Sequence, residues 1–312
     1  MRFFVLSGTL LLLALSSLQL FSQTNTAYDF LRNDVSARAA SLAGSFVSMT
    51  DDPNTIFYNP AGLATMTQRR FSVGFFKHLM DINSGYASFA TQIPNLGNIG
   101  VGIVYINYGE FKETGEEGQD LGTFGAGEFA LSLGYGGTLR DDLDYGANVK
   151  LIYSKIADAT SSAAAVDLGL QYVAVPNRLT VGVSVLNLGT QISPYVNTRE
   201  DLPLDVNIGC ALYPEHLPAA LLFGFHRLTD QYDTFGDRMK NFTLGVEFTP
   251  GPNVHLRVGY DNARRQDLKI LSSAGLAGIS IGGGINTDLY SVDYSFSSLG
   301  QIGAIHRISI TF

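Results

Sequence analysis

From about Arg70 to Phe312, apolar and polar residues alternate with a period of two, the mark of a strand whose two faces meet different surroundings. Tyr290, Val292, Tyr294 and Phe296 alternate with Ser291, Asp293 and Ser295. Phe242, Leu244, Val246 and Phe248 alternate with Thr243, Gly245 and Glu247, and Val254, Leu256, Val258 and Tyr260 with His255, Arg257 and Gly259. Leu204, Val206, Ile208, Cys210 and Leu212 stand against Asp205, Asn207, Gly209 and Ala211, and the chain ends with Ile308, Ile310 and Phe312 against Arg307, Ser309 and Thr311. The pattern predicts strands over 70–77, 86–93, 97–108, 127–137, 143–155, 162–173, 179–188, 202–212, 219–229, 241–249, 253–261, 275–286, 289–297 and 304–312. About fourteen strands is the even number that brings both ends of a single-chain barrel to one side.

Alternation alone fits a soluble sandwich with its apolar face inward, or an outer-membrane barrel with its apolar face in lipid. The segments run about 8 to 11 residues, the length of a tilted membrane strand, where globular strands average about 5 to 6. Tyr108, Tyr135, Tyr153, Tyr172, Tyr260 and Phe296 fall at segment ends, as interfacial girdles require. Phe312 closes an alternating strand, as in the C-terminal insertion signal of outer-membrane barrels. The predicted fold is all-β: a transmembrane antiparallel β-barrel. Connectors 175–178, 249–252 and 286–288 read as periplasmic turns, and 110–125, 189–201, 230–240 and 262–274 as outward loops.

Residues 1–22 read as a secretory signal, with Arg2 ahead of the apolar run 10–15 and Ser22 at the cleavage point. The stretch 24–68 does not alternate. It carries the small-residue run Ser36-Ala37-Arg38-Ala39-Ala40, the turn Asp51-Asp52-Pro53, and Asn59-Pro60-Ala61-Gly62, in which Asn59 suits an N-cap and Pro60 the first helical position. The organisation expected is a signal over 1–22, an N-terminal hatch inside the barrel over 23–68, and the barrel over 69–312. A periplasmic tail is the alternative for the middle segment.

Composition narrows the function. Only 15% of residues are charged, against about 25% in an average globular domain, while 46% are hydrophobic. A single cysteine excludes a disulfide framework, and Cys210 falls on the lipid-facing set. The net charge of -8 speaks against nucleic acid as a partner. On the inward parity stand Lys150, Asp167, Asp205, Glu247, Arg257, Asp293 and Arg307, whose mixed signs predict a paired polar network in the lumen. The five histidines are scattered, Gly282-Gly283-Gly284 lacks the Lys-Ser/Thr of a phosphate loop, and no catalytic arrangement or cofactor site emerges. That glycine run reads as a barrel corner or as a kink that opens the wall. Asp51-Asp52-Pro53-Asn54 reads as a turn, with a calcium loop as the alternative.

Tyr28-Asp29-Phe30-Leu31, Ser36 to Ala40, Gly44, Asp51 to Asn54 and Tyr58 to Leu63, with the tail Val292-Asp293-Tyr294 and His306-Arg307-Ile308-Ser309, resemble the PorV/PorQ family, relatives of the FadL-type fatty-acid transporters. The opening resembles PorQ more than PorV. The resemblance implies an outer-membrane protein of a Gram-negative, Bacteroidetes-like bacterium. It also implies a part in type IX secretion, docking cargo C-terminal domains or the sortase-containing attachment complex. Three functions follow: a non-enzymatic secretion component in outer-membrane lipid, a FadL-like transporter of a hydrophobic ligand, or a structural barrel. The transporter reading expects an apolar pocket near Phe46, Ile56, Phe57 and Tyr58.

Overall fold

The computed structural model describes residues 26–269 and 274–312, so the expected export signal lies outside the described residues. The strands are β1 (Arg70–Lys77), β2 (Asn83–Ile93), β3 (Gly97–Thr114), β4 (Asp120–Arg140), β5 (Leu143–Ile156), β6 (Ala159–Val175) and β7 (Leu179–Ser193). They continue as β8 (Asp205–Leu212), β9 (Ala219–Phe225), β10 (Phe242–Gly251), β11 (Val254–Asp261), β12 (Ile279–Asn286), β13 (Ser291–Ser298) and β14 (Ala304–Thr311). Each pairs with its sequence neighbours, and β14 returns to β1, closing a 14-strand antiparallel barrel. The seam runs from Ser72 opposite Thr311 to Lys77 opposite His306. Phe312 finishes it: its N–H donates to the Phe71 carbonyl at 2.8 Å, while its ring stays exposed at the rim.

The two faces are inverted relative to a soluble protein. Outward residues such as Leu133, Val149, Leu151, Leu170, Leu256, Val258 and Ile308 are each half exposed, whereas the inward Ser132, Asn148, Asp167, Arg257 and Arg307 are buried. A continuous apolar exterior of this size belongs in lipid. A sandwich would hide those side chains between its layers. Aromatic residues mark both edges of the belt. Phe71, Tyr145, Tyr172 and Phe312 lie toward the end holding the barrel's termini, and Tyr105, Tyr153, Tyr260 and Phe296 toward the opposite end.

Three expectations are corrected. Residues 110–125 are mostly strand: β3 and β4 continue to Thr114 and Asp120, with Phe111 stacked on Phe124 at 5.5 Å, although their Gly/Glu-rich sequence hides the period. Tyr108 leaves the girdle. It shares the inward parity of Gly102, Val104 and Ile106, and its hydroxyl donates to Glu128 at 2.5 Å. Leu204 is buried ahead of β8, which starts at Asp205.

The N-terminal segment lies within this wall. A 3₁₀ turn Asp29–Arg32 is followed by α1 (Ala37–Ser41) and the 3₁₀ turns Pro53–Phe57 and Pro60–Thr65. Ser36 caps α1 by accepting from the Ala39 N–H at 3.1 Å, Asp52 caps the second turn from Asn54 N–H at 2.9 Å, and Asn59 caps the third from Ala61 N–H at 3.1 Å, with Pro60 first in the turn. Leu42, Phe46, Ile56 and Leu63 are fully buried, each burial contributing roughly 1.5–3 kcal/mol.

Candidate functional site

The segment threads the barrel from end to end. Thr26 bridges to Asp201 and the Tyr28 hydroxyl pairs with Ser161, both at the end opposite the barrel's termini. At the other end Asp51 is held by Arg70 at 2.8 Å. Between them the backbone lies so close to the wall that several inward positions are glycine. A methyl carbon on Gly136 would lie 2.5 Å from the Ala64 nitrogen, and one on Gly102 2.6 Å from the Phe57 ring. At Gly146 it would collide with the Pro60 carbonyl, at Gly182 with the Val47 carbonyl, and at Gly259 with the Ala43 nitrogen. Part of the chain's complement of 34 glycines is therefore the wall's imprint of its own N-terminus. The run Gly282-Gly283-Gly284 belongs to this relief: β12 pairs without a break on both sides, Gly282 admits Ser41, and Gly284 leaves room for the Arg257–Asp293 pair.

The seven inward charged residues are all buried, but they form separate groups, where the sequence suggested one network. In the first, Arg38 grips Glu247 with two bonds of 3.0 and 2.8 Å and Asp52 with one of 3.0 Å. Arg257 joins Glu247 and Asp293, each at 2.5 Å. The result is a chain of alternating charge, Asp52–Arg38–Glu247–Arg257–Asp293, from the N-terminal segment to β10, β11 and β13. In the second, Lys150 lies 3.0 Å from Asp167 and donates to Asn187 at 2.6 Å, while Asn148 donates to Asp167 at 2.9 Å. Arg307 donates to the Asp34 carbonyl at 3.3 Å and to Ser297 at 3.2 Å. Asp205 accepts from the Arg227 N–H at 2.6 Å.

Many of the bridging partners come from outside the alternating strands. Arg38, Asp34 and Arg32 sit in the N-terminal segment, and Arg264 and Asp230 in outward connections; Arg264 meets Asp34 at 2.9 Å and Arg32 meets Asp230 at 2.7 Å. The one signal for Arg38 is a long cation set among small residues, Ser-Ala-Arg-Ala-Ala. Asp51 and Asp52 turn to different arginines, Arg70 and Arg38, which takes them away from a shared calcium cage. Asn59 does more than cap: its amide donates to the Val47 and Leu170 carbonyls at 2.7 and 3.1 Å, pinning the turn Pro60–Thr65 to β6, while Ala61 and Gly62 pack beneath it.

Cavities flank the segment. One of about 80 Å³ lies between Arg32, Asp34, Ser45 and Tyr58 and the wall residues Asn187, Asp205 and His226, with Leu31, Val47, Phe57 and Leu186 making the rest of its lining apolar. Another of about 110 Å³ lies near the opposite end among Arg38, Asp52, Arg70, His255 and Asp293. The expected apolar pocket is displaced. Phe46 and Ile56 are sealed in packing, and Tyr58 faces the first, mixed cavity. Phe57 lines that cavity and also a smaller one of about 20 Å³, shared with Phe30, Leu31, Val35, Val104 and Ala130 and bordered by Ser132 and Lys150. Around it one patch of the inner wall of β3–β6 is apolar, set among the inward Glu128, Ser132 and Lys150: Ile106, Ala130, Ile152, Ala163 and Ala165 cluster with Tyr28, Phe30 and Leu202.

His78, in the connection after β1, has Nε2 2.8 Å from Ser84 Oγ and packs on Phe76, over whose ring the Arg307 guanidinium sits at 5.4 Å. Burial, then the Arg307 charge, pushes its pKa down to about 4. The unfolded chain therefore takes the proton first. Stability is expected to fall by on the order of 1–2 kcal/mol as pH drops from about 6.5 to about 4, and to level off below. Urea midpoints across that window, with His78→Gln flattening this part of the profile, check the expectation.

A closed fourteen-strand barrel, apolar outside and filled by its own N-terminus, has the fold of FadL-like outer-membrane barrels. In shape the chain is similar to the toluene transporter TbuX of Ralstonia pickettii, with a TM-score of 0.59 over 88% of this chain and 96% of that one at 11% identity. It is likewise similar to the toluene transporter TodX of Pseudomonas putida (TM-score 0.58, 12% identity, 93% and 98% covered) and to a Pseudomonas aeruginosa FadL homologue (0.55, 11%, 89% and 98%). At such identities the likeness establishes the fold. No protein-family model and no curated protein sequence matches the chain.

Proposed function

We propose that this chain is a non-enzymatic outer-membrane channel for hydrophobic small molecules, with residues 23–68 as the hatch in a barrel of residues 69–312. The observation that carries this reading is the apolar patch on the inner wall of β3–β6 where it meets the hatch. An aqueous pore has a polar lining, whereas Ile106, Ala130, Ile152 and Ala163 turn an apolar surface toward Phe30. The small cavity at Phe57 is a foothold for an apolar guest once the hatch shifts. The likeness in shape to toluene transporters supports the same reading. Residues 1–22 would serve as the export signal.

The test is uptake of labelled toluene and labelled fatty acid by intact cells. Deletion of the gene is expected to lower uptake of at least one of them about tenfold. Ala130→Phe, which fills the cavity, should restore a folded barrel without restoring uptake. Unchanged uptake after deletion overturns the proposal.

A second reading keeps the PorV/PorQ resemblance and a docking role in type IX secretion, with PorQ-like membership of an attachment complex in a Bacteroidetes-like cell. It is favoured by the tightly packed hatch, which suits a barrel that holds partners and passes nothing. It predicts that deletion strands surface-anchored cargo while leaving toluene and fatty-acid uptake intact.

A further inference from the structure

A larger cavity lies on the outer surface of the barrel, away from the hatch. β2 stops pairing with β3 at Asn83 opposite Asn107, and β5 stops pairing with β4 at Ile156 opposite Ala126. Above these points the β3–β4 hairpin rises alone from the rim. At its foot is a groove of about 680 Å³, within the size range of ligand sites. Gly109, Gly125 and Gly127 leave its floor without side chains. Its lower edge is one cross-strand row of aromatic rings, Tyr105 opposite Phe129 and Phe129 opposite Tyr153. Its upper parts carry Glu110, Glu113, Lys155 and Asp158, whose side chains have no hydrogen-bonding or ionic partner among the described residues.

The surroundings say what kind of molecule fits. Below the aromatic row the same face continues as aliphatic rows, Ile103–Leu131–Leu151 and Val101–Leu133–Val149, which lie in the lipid belt. The groove is continuous with that belt, so its occupant is a lipid whose chains run down the wall and whose head enters the groove. Three carboxylates against one ammonium repel a bare anionic head. Ring faces beside unpaired carboxylates suit a sugar: its C–H face lies on the aromatic rings and its hydroxyls donate to the carboxylates.

We infer that the groove at the foot of the β3–β4 hairpin binds the saccharide headgroup of an outer-leaflet glycolipid. This is independent of what crosses the lumen.

The experiment is native mass spectrometry of the full barrel in a polyoxyethylene detergent, titrated with three lipids of matched acyl chains: monoglucosyl diacylglycerol, phosphatidylglycerol and phosphatidylethanolamine. The glucosyl lipid is expected to bind about tenfold more tightly than either phospholipid. Tyr105→Ala with Tyr153→Ala should abolish that preference, and Glu113→Gln with Asp158→Asn should weaken it severalfold. These residues are on the outer surface, and an unchanged shift between folded and heat-denatured bands on gels shows that the variants still fold. Equal binding of all three lipids, a preference for a phospholipid, or folded variants that retain the glucosyl preference would each overturn the inference.

Discussion

Replacing Gly146 with valine is expected to remove most of the folded barrel from the outer membrane. A side chain there has nowhere to go, because its first carbon would meet the Pro60 carbonyl and the Ala61 nitrogen. Both are backbone atoms of a turn fixed by the Asn59 cap and by Asn59's bonds to Val47 and Leu170. Overpacking a core typically costs about 1–3 kcal/mol when side chains can yield, and here the obstacle is main chain on both sides. A loss of at least about 3 kcal/mol is expected, and about twice that when Gly259→Val, facing the Ala43 nitrogen, is added. Gly251→Ala is the control, since nothing lies near the added carbon. The urea midpoint of refolded protein reads the effect, and entry of a large hydrophilic antibiotic into cells reads displacement of the hatch. If Gly146→Val resembles Gly251→Ala in both, the segment is not seated against the wall as described.

That glycine relief shows where reading the sequence stops. Period-two alternation assigns a face to each residue, and Glu247, Arg257, Asp293 and Arg307 all face inward as their parity requires. Parity does not supply neighbours across strands. Only the register, Glu247 opposite Arg257 and Gly146 opposite Gly169, reveals which inward residues meet and that glycines line up around the wall. The N-terminal segment is harder still. Its short 3₁₀ turns have no period, so a cap such as Asn59 is legible locally while the destination of Arg38, 209 residues from Glu247, is not. Tyr108 fails for a third reason. Its parity with Gly102, Val104 and Ile106 already points it inward, and assigning it to the girdle from its place near a segment end sets that parity aside.

Glu247→Gln is expected to be the most damaging single change among the charged residues. Glu247 is the shared anion of two arginines: Arg38 holds both its oxygens, and Arg257 adds a bond of 2.5 Å. Glutamine keeps the shape but withdraws the charge, leaving two buried guanidiniums with only Asp52 and Asp293 between them. Removing one partner from a buried ion pair costs about 3–5 kcal/mol, because the remaining charge has lost its water and gained nothing. The same reasoning predicts a partial rescue. In Glu247→Leu with Arg38→Met, one cation leaves with the anion, Arg257 keeps Asp293, and Asp52 still caps its turn through the Asn54 N–H. The double variant should therefore be more stable than Glu247→Leu alone, by about 1–3 kcal/mol in the coupling term of a double-mutant cycle. Because the chain of charges is shielded from solvent, raising salt from 0.05 to about 0.5 M should change that coupling little. Additive losses with no rescue would mean that Arg38 and Glu247 stabilise the barrel separately, and the hatch would then need another anchor.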